Sequence, residues 1–147
     1  MMKAEEALEE RGSRELVLRF YQELNQKPTD LSRAEHAVRV VERLFVRGYV
    51  GHGGPDNHDL DLDGWKNVIR SLYGRFPDLR SSVEDVITEG DKTLVRIRLL
   101  DGVNEVTNYM ALHRVEGGQI VERWAFGDRN FERWVGGDRT GLRGSPR

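Results

Sequence analysis

Two histidines of this chain stand where a side chain could exchange a proton near neutral pH. His52 lies between Gly51 and Gly53, directly after the second predicted helix. His113 lies on a predicted strand and alternates in phase with Tyr109. Imidazole titrates near neutrality, so either residue could act as a general base or acid, or as a hydrogen-bond partner of a substrate. Each also has a structural alternative: a loop residue tolerated between glycines for His52, and a hydrogen-bonded strand-end histidine for His113.

A carboxylate and a cation belong to the last predicted strand and its end. Asp128 could orient a catalytic group, or it could cap the turn that ends the strand. Arg123 alternates in phase with Ala125. If that face is interior, the buried guanidinium requires an acidic partner or an anionic ligand, which makes Arg123 a candidate oxyanion or carboxylate clamp. In the opposite orientation, Trp124 faces inward and Arg123 faces outward.

Aromatic residues could supply the walls of a small-molecule pocket. Together with Arg123, the predicted substrate-binding residues are Tyr21, Tyr49, Trp65, Tyr109 and Trp124. Tyr21 and Tyr49 could also donate a hydrogen bond to an enolate or epoxide oxygen. The structural alternative is that aromatic residues at helical and strand spacing are ordinary core residues.

The spacing of aspartates before the third predicted helix invites comparison with a calcium loop. Asp59, Asp61 and Asp63 alternate and are followed by Gly64. A calcium loop ends on a bidentate glutamate, and this chain has Arg70 at the corresponding position. We therefore expect a solvated loop and no metal site. No dinucleotide-binding or phosphate-binding glycine motif occurs either, so no cofactor is expected.

Apolar residues recur at helical spacing in three segments. The first predicted helix covers about residues 5–26. The second is capped by Ser32 and ends at Gly48, and the third is capped by Asp63 and ends before Pro77. A turn or short irregular strand is expected between the second and third helices.

The rest of the chain alternates as strands do. Segments 83–87, 94–100, 106–115 and 119–126 are predicted strands, and Asp101-Gly102 is a strong signal for a tight hairpin. Three helices followed by an antiparallel meander predict an α+β domain in which a curved antiparallel or mixed sheet packs on the helices.

Composition restricts the classes of function. The chain has 147 residues, of which 37% are hydrophobic, enough for one core, and it has no cysteine. A net charge of −2 argues against a nucleic-acid partner, and no apolar run has the length of a membrane helix. Without a secretion signal, a cytoplasmic location is expected. We predict a frayed or helical extension over residues 1–13, one domain over 14–135 and a disordered tail over 136–147.

The order of several short motifs resembles the SnoaL-like polyketide cyclases of the nuclear-transport-factor-2-like superfamily. The resemblance rests on Phe20-Tyr21, Tyr49-Val50-Gly51-His52, Gly64-Trp65, Phe76-Pro77-Asp78-Leu79, and the segments 83–91 and 114–124. It implies a cone-shaped, cystatin-like α+β barrel and a homodimer. Aldol cyclases of this type carry an aspartate and a histidine at the positions that fall on Ala125 and Ala111 here. Neither alanine can move a proton, so the usual general base is absent.

The resemblance implies a small-molecule enzyme that acts on a hydrophobic polyketide- or terpenoid-like substrate. The reaction would be a cyclisation or isomerisation by proton transfer, with His52, His113 and Asp128 as candidate catalytic residues. The competing hypothesis is a non-catalytic module of the same fold that binds a small molecule or dimerises. Both hypotheses require a hollow between the sheet and the helices.

Overall fold

A computed structural model of the protein describes residues 3–53 and 58–127. Over these residues the chain forms eight elements in the order α1 (Ala4–Leu24), α2 (Arg33–Leu44), β1 (Phe45–His52), α3 (Leu62–Arg75), β2 (Leu79–Glu89), β3 (Lys92–Asp101), β4 (Asn104–Glu116) and β5 (Gln119–Gly127). The predicted α+β class with three helices is confirmed. The disordered tail predicted for 136–147 lies outside the described residues, and the domain limits stay predictions.

Local hydrogen bonds explain where the second and third helices begin. The backbone N–H of Glu35 donates to Oγ of Ser32 at 3.1 Å, so the predicted cap of α2 is confirmed. At α3, the backbone N–H of Gly64 donates to Oδ1 of Asp61 at 2.8 Å. The prediction that Asp63 caps this helix was wrong, because Asp61 has the extended backbone of a cap and Asp63 already lies in the first turn.

The five strands form one mixed sheet in the order β1-β5-β4-β3-β2. Strands β2 to β5 are an antiparallel meander, as predicted, and β1 pairs in parallel with β5. Within the described residues β1 and β2 are the edges, so the sheet is open.

Strand β1 begins earlier than the sequence predicted, because a turn or short irregular strand was expected only after Gly48 and the strand starts at Phe45. Phe45 extends the apolar spacing of α2, which led to a helix predicted as far as Gly48. Phe45 instead begins the strand, with Ile120 of β5 as its register partner. Pairing with a neighbouring strand therefore decides the conformation of this segment against its local helical pattern.

The inner face of the sheet packs against the helices and forms the core. On β3 buried residues alternate with more exposed ones. The buried residues that face the helices are Thr93, Val95, Ile97 and Leu99. Helix α1 is continuous from Ala4, and its buried Ser13 Oγ lies 2.9 Å from Oγ1 of Thr93. Among the described helices, none has the combination of length and apolar character that crossing a bilayer requires.

Candidate functional site

A cavity lies between α3 and the inner face of the sheet. The empty space inside it and at its mouth totals about 700 Å³. Most of the wall is apolar, and the side chains that form it include Phe20, Leu24, Leu60, Trp65, Val68, Ile69, Leu72, Leu99 and Ala125. The polar groups of the wall come from Tyr49, Tyr73, Ser81, Thr107, Tyr109 and Arg123, and residues 51–53 of β1 and the loop after it complete it.

Strand alternation places Arg123 inside the molecule. Arg123 and Ala125 line the cavity, whereas Trp124 between them faces the other side of the sheet. Of the two orientations that the sequence left open, the structure has the one with Arg123 inward, and its side chain is only 5% exposed. Its guanidinium carbon lies 4.5 Å from the centre of the Trp65 ring and 5.7 Å from that of Tyr109, both cation–π contacts.

Arg123 has no acidic partner among the described residues. The arginines that form ion pairs in this part of the chain are more exposed, as in the pairs of Arg96 with Asp85 and Arg98 with Glu105. Burial acts to lower the pKa of Arg123, but the surrounding tyrosines raise it above its ordinary value. The cavity wall therefore carries a buried positive charge that no described carboxylate neutralises.

His113 lies behind the cavity wall and is fully buried. Its Nδ1 lies 3.2 Å from the carbonyl oxygen of Thr93, which fixes the proton on Nδ1 and leaves Nε2 as an acceptor. Nε2 lies 3.0 Å from the hydroxyl of Tyr21 and 3.3 Å from Nε of Arg123, both of which can donate to it. Burial, reinforced by Arg123, lowers the pKa of His113 to about 3. The imidazole is therefore neutral near pH 7, and its Nε2 accepts hydrogen bonds from Tyr21 and Arg123.

Two tyrosines place their hydroxyl groups beside Arg123 in the cavity. Burial raises the pKa of Tyr49 to about 12, although Arg123 opposes the shift. Burial also raises the pKa of Tyr109 well above its ordinary value. Both side chains consequently remain protonated hydrogen-bond donors at physiological pH. Tyr21, the third predicted tyrosine, is not part of the wall and reaches the site through its bond to His113.

Gly51 provides the room that the Tyr49 ring occupies. A Cβ atom at position 51 would lie 2.5 Å from the hydroxyl oxygen of Tyr49. Gly48, on the same strand, has no atom within 4 Å of the corresponding position. The glycine of the Tyr-Val-Gly-His motif is therefore a packing requirement for the tyrosine two residues before it.

His52 lies at the edge of the cavity, in contact with the outer face of the sheet. Its Nε2 is 2.7 Å from Oε2 of Glu122 and its Nδ1 is 3.1 Å from Oδ1 of Asp59. Its ring stacks on Trp124, with ring centres 5.0 Å apart. Glu122 also accepts a hydrogen bond from Nε of Arg114 at 3.0 Å. The bond to Glu122, followed by that to Asp59, raises the pKa of His52, which favours an imidazolium bridging two carboxylates.

The structure separates the predicted site residues into three groups. Tyr49, Trp65, Tyr109 and Arg123 line the cavity, with His52 at its edge. Tyr21 and His113 support that wall from behind, and Trp124 lies on the opposite face, stacked on His52. Asp128 lies outside the described residues.

Sequence reasoning did not select Ser81 and Thr107, which also line the cavity. Thr107 alternates in phase with Tyr109, and this parity was the available signal. Ser81 follows the motif Phe76-Pro77-Asp78-Leu79, but nothing in its own residue type marks it.

The aspartates before α3 do not converge on a common point. Asp59 contacts His52, Asp61 caps α3 and Asp63 lies 3.6 Å from Nζ of Lys66. Over residues 3–53 and 58–127, no group of three His, Asp or Glu side chains is arranged to hold a metal ion.

Comparison with known proteins points to one family. A model of the SnoaL-like domain matches residues 17–123. A protein from Jannaschia sp. CCS1 assigned to the SnoaL-like polyketide cyclases is 22% identical over 87% of this chain and 94% of that protein, with a TM-score of 0.66. IdmH from Streptomyces antibioticus, assigned as a polyketide cyclase, is 20% identical over 79% of this chain and 91% of that protein, with a TM-score of 0.62.

A third similar structure carries a different assignment. A protein from Kribbella flavida DSM 17836 assigned as a ketosteroid isomerase is 13% identical over 82% of this chain and 81% of that protein, with a TM-score of 0.62. A comparison with curated proteins found no match. At these identities the solved structures establish a shared fold and leave the reaction open.

Proposed function

Because this chain belongs to the SnoaL-like domain family, we propose that it is a small-molecule enzyme that catalyses cyclisation or isomerisation by proton transfer. Its substrate would be a hydrophobic polyketide- or terpenoid-like compound. The observation that carries the proposal is the apolar cavity whose wall presents Arg123 beside the hydroxyl groups of Tyr49 and Tyr109.

This arrangement suits a reaction that develops negative charge on a carbonyl oxygen. Removal of a proton from the carbon next to a carbonyl group produces an enolate, and preorganised donors in a dry site stabilise that oxygen strongly. Arg123, Tyr49 and Tyr109 are all donors and are all buried. These donors are already oriented before the charge appears, whereas water molecules would have to reorient. They would therefore stabilise the charged transition state more than the neutral substrate.

His113 serves this mechanism as a positioning residue. Its Nε2 lone pair fixes Tyr21 and Arg123, and its lowered pKa makes it a poor proton acceptor. The proton carriers that we propose are therefore His52 at the cavity edge and Asp128 just beyond β5. His52 would act as the general acid, because its carboxylate partners keep it in the protonated imidazolium form. Asp128 would supply or orient the base.

A second candidate is a non-catalytic small-molecule-binding module of the same fold. One observation favours it: none of the described residues that line the cavity is an aspartate or a glutamate. Ala125 occupies the position where the resemblance places the catalytic aspartate. Without a proton acceptor, the same donors would bind an oxygen-rich ligand and leave it unchanged.

Deuterium exchange separates the two candidates. Aromatic ketones would be incubated in heavy water with the wild type, Asp128→Asn, His52→Gln and Arg123→Met. Binding would be followed by ligand-observed NMR, and exchange by loss of the signal from protons next to the carbonyl group. The enzyme proposal predicts exchange that falls at least about tenfold in Arg123→Met. Binding without exchange by the wild type would favour the module.

Arg96→Met is the matched control for this experiment. Arg96 is half exposed and pairs with Asp85 at 2.6 Å, and it does not line the cavity. Its substitution should leave both binding and exchange unchanged.

Pairing of two copies is part of the same proposal. Met110 of β4 and Phe126 of β5 are register partners on the outer face, and they are 45% and 66% exposed. Exposed apolar neighbours of this size are typical of an interaction surface. In light scattering, we expect the wild type to be a dimer and Phe126→Glu to be a monomer. We expect the protein to act in the cytoplasm.

A further inference from the structure

The cavity presents hydrogen-bond donors around an uncompensated positive charge, which constrains the charge of its ligand. The geometry points to a hydrophobic organic monoanion, with a planar two-oxygen group seated against Arg123, as the natural ligand. A carboxylate has this chemistry, and so does the ionised form of a β-dicarbonyl compound. This inference rests on the proposed function, because it names the class of substrate for the same cavity.

The first argument is the missing counter-ion. Isolated charges in protein interiors are costly unless they are paired, and Arg123 is buried without a described acidic partner. The groups around it are those of Trp65, Tyr21, Tyr49, Tyr109 and His113, and none of them is a carboxylate. A single negative charge on the ligand would restore neutrality.

The second argument is an unsatisfied donor beside the arginine. Nε1 of Trp65 is buried and has no hydrogen-bond partner among the described residues, and Trp65 lines the cavity directly against Arg123. Buried N–H groups are rarely left without an acceptor. An acceptor carried by the ligand would satisfy this group together with the guanidinium.

The third argument is that the imidazole acceptor beside Arg123 is already used. Nε2 of His113 faces both Tyr21 and Arg123, and its Nδ1–H is bound to Thr93. The ligand would therefore encounter mainly donors near Arg123. A guanidinium binds a planar pair of oxygens through two parallel hydrogen bonds, which favours a carboxylate-like group over a hydroxyl or an amine.

The fourth argument limits the charge to one. Arg123 is the one buried cation among the described residues that line the cavity, and His52 at the edge is already paired with Glu122 and Asp59. A ligand with two or more negative charges would find only this one buried cation to neutralise it. The remaining wall is apolar and suits a hydrocarbon or aromatic body.

Calorimetric titration with matched probes tests the inference. Phenylbutanoate and phenylbutanamide share a body and differ in the charge of the head group, and benzoylacetone supplies the β-dicarbonyl arm. For the wild type we expect the carboxylate to bind at least about tenfold more tightly than the amide. Phenyl phosphate, which carries two negative charges when fully ionised, should bind more weakly than phenylbutanoate.

Variants assign the preference to Arg123. Arg123→Met should bind the carboxylate and the amide equally, whereas Arg96→Met should behave as the wild type. Arg123→Lys keeps the charge and should retain only part of the preference, because it loses the paired hydrogen bonds. Circular dichroism of each variant checks folding, and the wild-type comparison of the two probes needs no variant.

The outcomes separate this inference from the proposed function. Equal binding of the two probes by the wild type, absence of binding by the carboxylate, or a preference that persists in Arg123→Met would overturn the inference. If neutral ketones still exchange deuterium in that case, the enzyme proposal stands without it. If the preference depends on Arg123 and no ketone exchanges, the inference stands and the enzyme proposal fails.

Discussion

The guanidinium carbon of Arg123 lies 4.5 Å from the centre of the Trp65 ring, so a cation of the sheet and an aromatic of helix α3 meet across the cavity. Trp65 opens α3, whose start is fixed by Asp61, and Arg123 is turned inward by the alternation of β5. Two elements distant in sequence therefore combine to hold one charged group in an apolar cavity.

Replacing Arg123 by methionine should not destabilise the fold. The substitution removes a buried charge and leaves no opposite charge unpaired, so the free energy of unfolding should stay within about 1 kcal/mol of the wild type or rise above it. Urea unfolding followed by circular dichroism measures this. A loss of about 3 kcal/mol or more would contradict a buried Arg123 without an acidic partner.

His113 should make the protein less stable as the pH falls below 6.5. Its pKa is lowered from 6.5 to about 3 in the folded state, so the unfolded chain binds the proton first. The stability is complete above pH 6.5 and declines as the pH falls toward 3, by about 1.4 kcal/mol per pH unit. In His113→Gln the slope between pH 6.5 and about 5 should be shallower. Parallel curves for the two proteins would contradict the burial of a neutral imidazole.

Gly51→Ala should displace the Tyr49 ring. The new Cβ atom would overlap the tyrosine hydroxyl, and overpacking of this kind costs about 1–3 kcal/mol of unfolding free energy. Gly48→Ala is the control on the same strand and should change stability by less than about 0.5 kcal/mol. Thermal unfolding compares the two variants. Equal effects would mean that Tyr49 does not occupy the space above Gly51.

Glu122→Gln should lower the pKa of His52. The wild-type imidazole is held in its charged form mainly by Glu122 and also by Asp59, so its pKa should lie above 6.5 and fall when the carboxylate is removed. NMR titration of the His52 ring protons measures both values. Glu105→Gln, which breaks the pair between Glu105 of β4 and Arg98 of β3, is the control and should leave the pKa of His52 unchanged. The raised pKa adds stability below pH 6.5 that is lost as the pH rises through the folded value.

The sequence was sufficient for most of the fold because its local signals agree with the tertiary structure. Ser32 and Glu35 mark the start of α2 and Asp101-Gly102 marks a hairpin, and both features are set within a few residues. The start of strand β1 at Phe45 could not be predicted in this way. Its segment continues a helical pattern, and its partner, β5, lies about seventy residues later in the chain.

The candidate site was predictable only in part for the same reason. Parity along β4 placed Tyr109 and His113 on one face, and both are buried there. Parity could not decide whether Arg123 or Trp124 faces inward, because that choice depends on how the sheet packs on the helices. The contact of Arg123 with Trp65 and the hydrogen bond between Tyr21 and His113 join residues of different elements. No local sequence pattern indicates such contacts.

The most direct test of the account observes Arg123 itself during ligand binding. The side-chain Nε–H resonance of Arg123, identified by its absence from Arg123→Met, would be followed by NMR while phenylbutanoate is added. We predict that this resonance and the indole N–H resonance of Trp65 shift together and saturate at the same ligand concentration. Stationary signals from both groups while the ligand binds, or shifts confined to Trp124 on the outer face, would contradict a binding site built around Arg123.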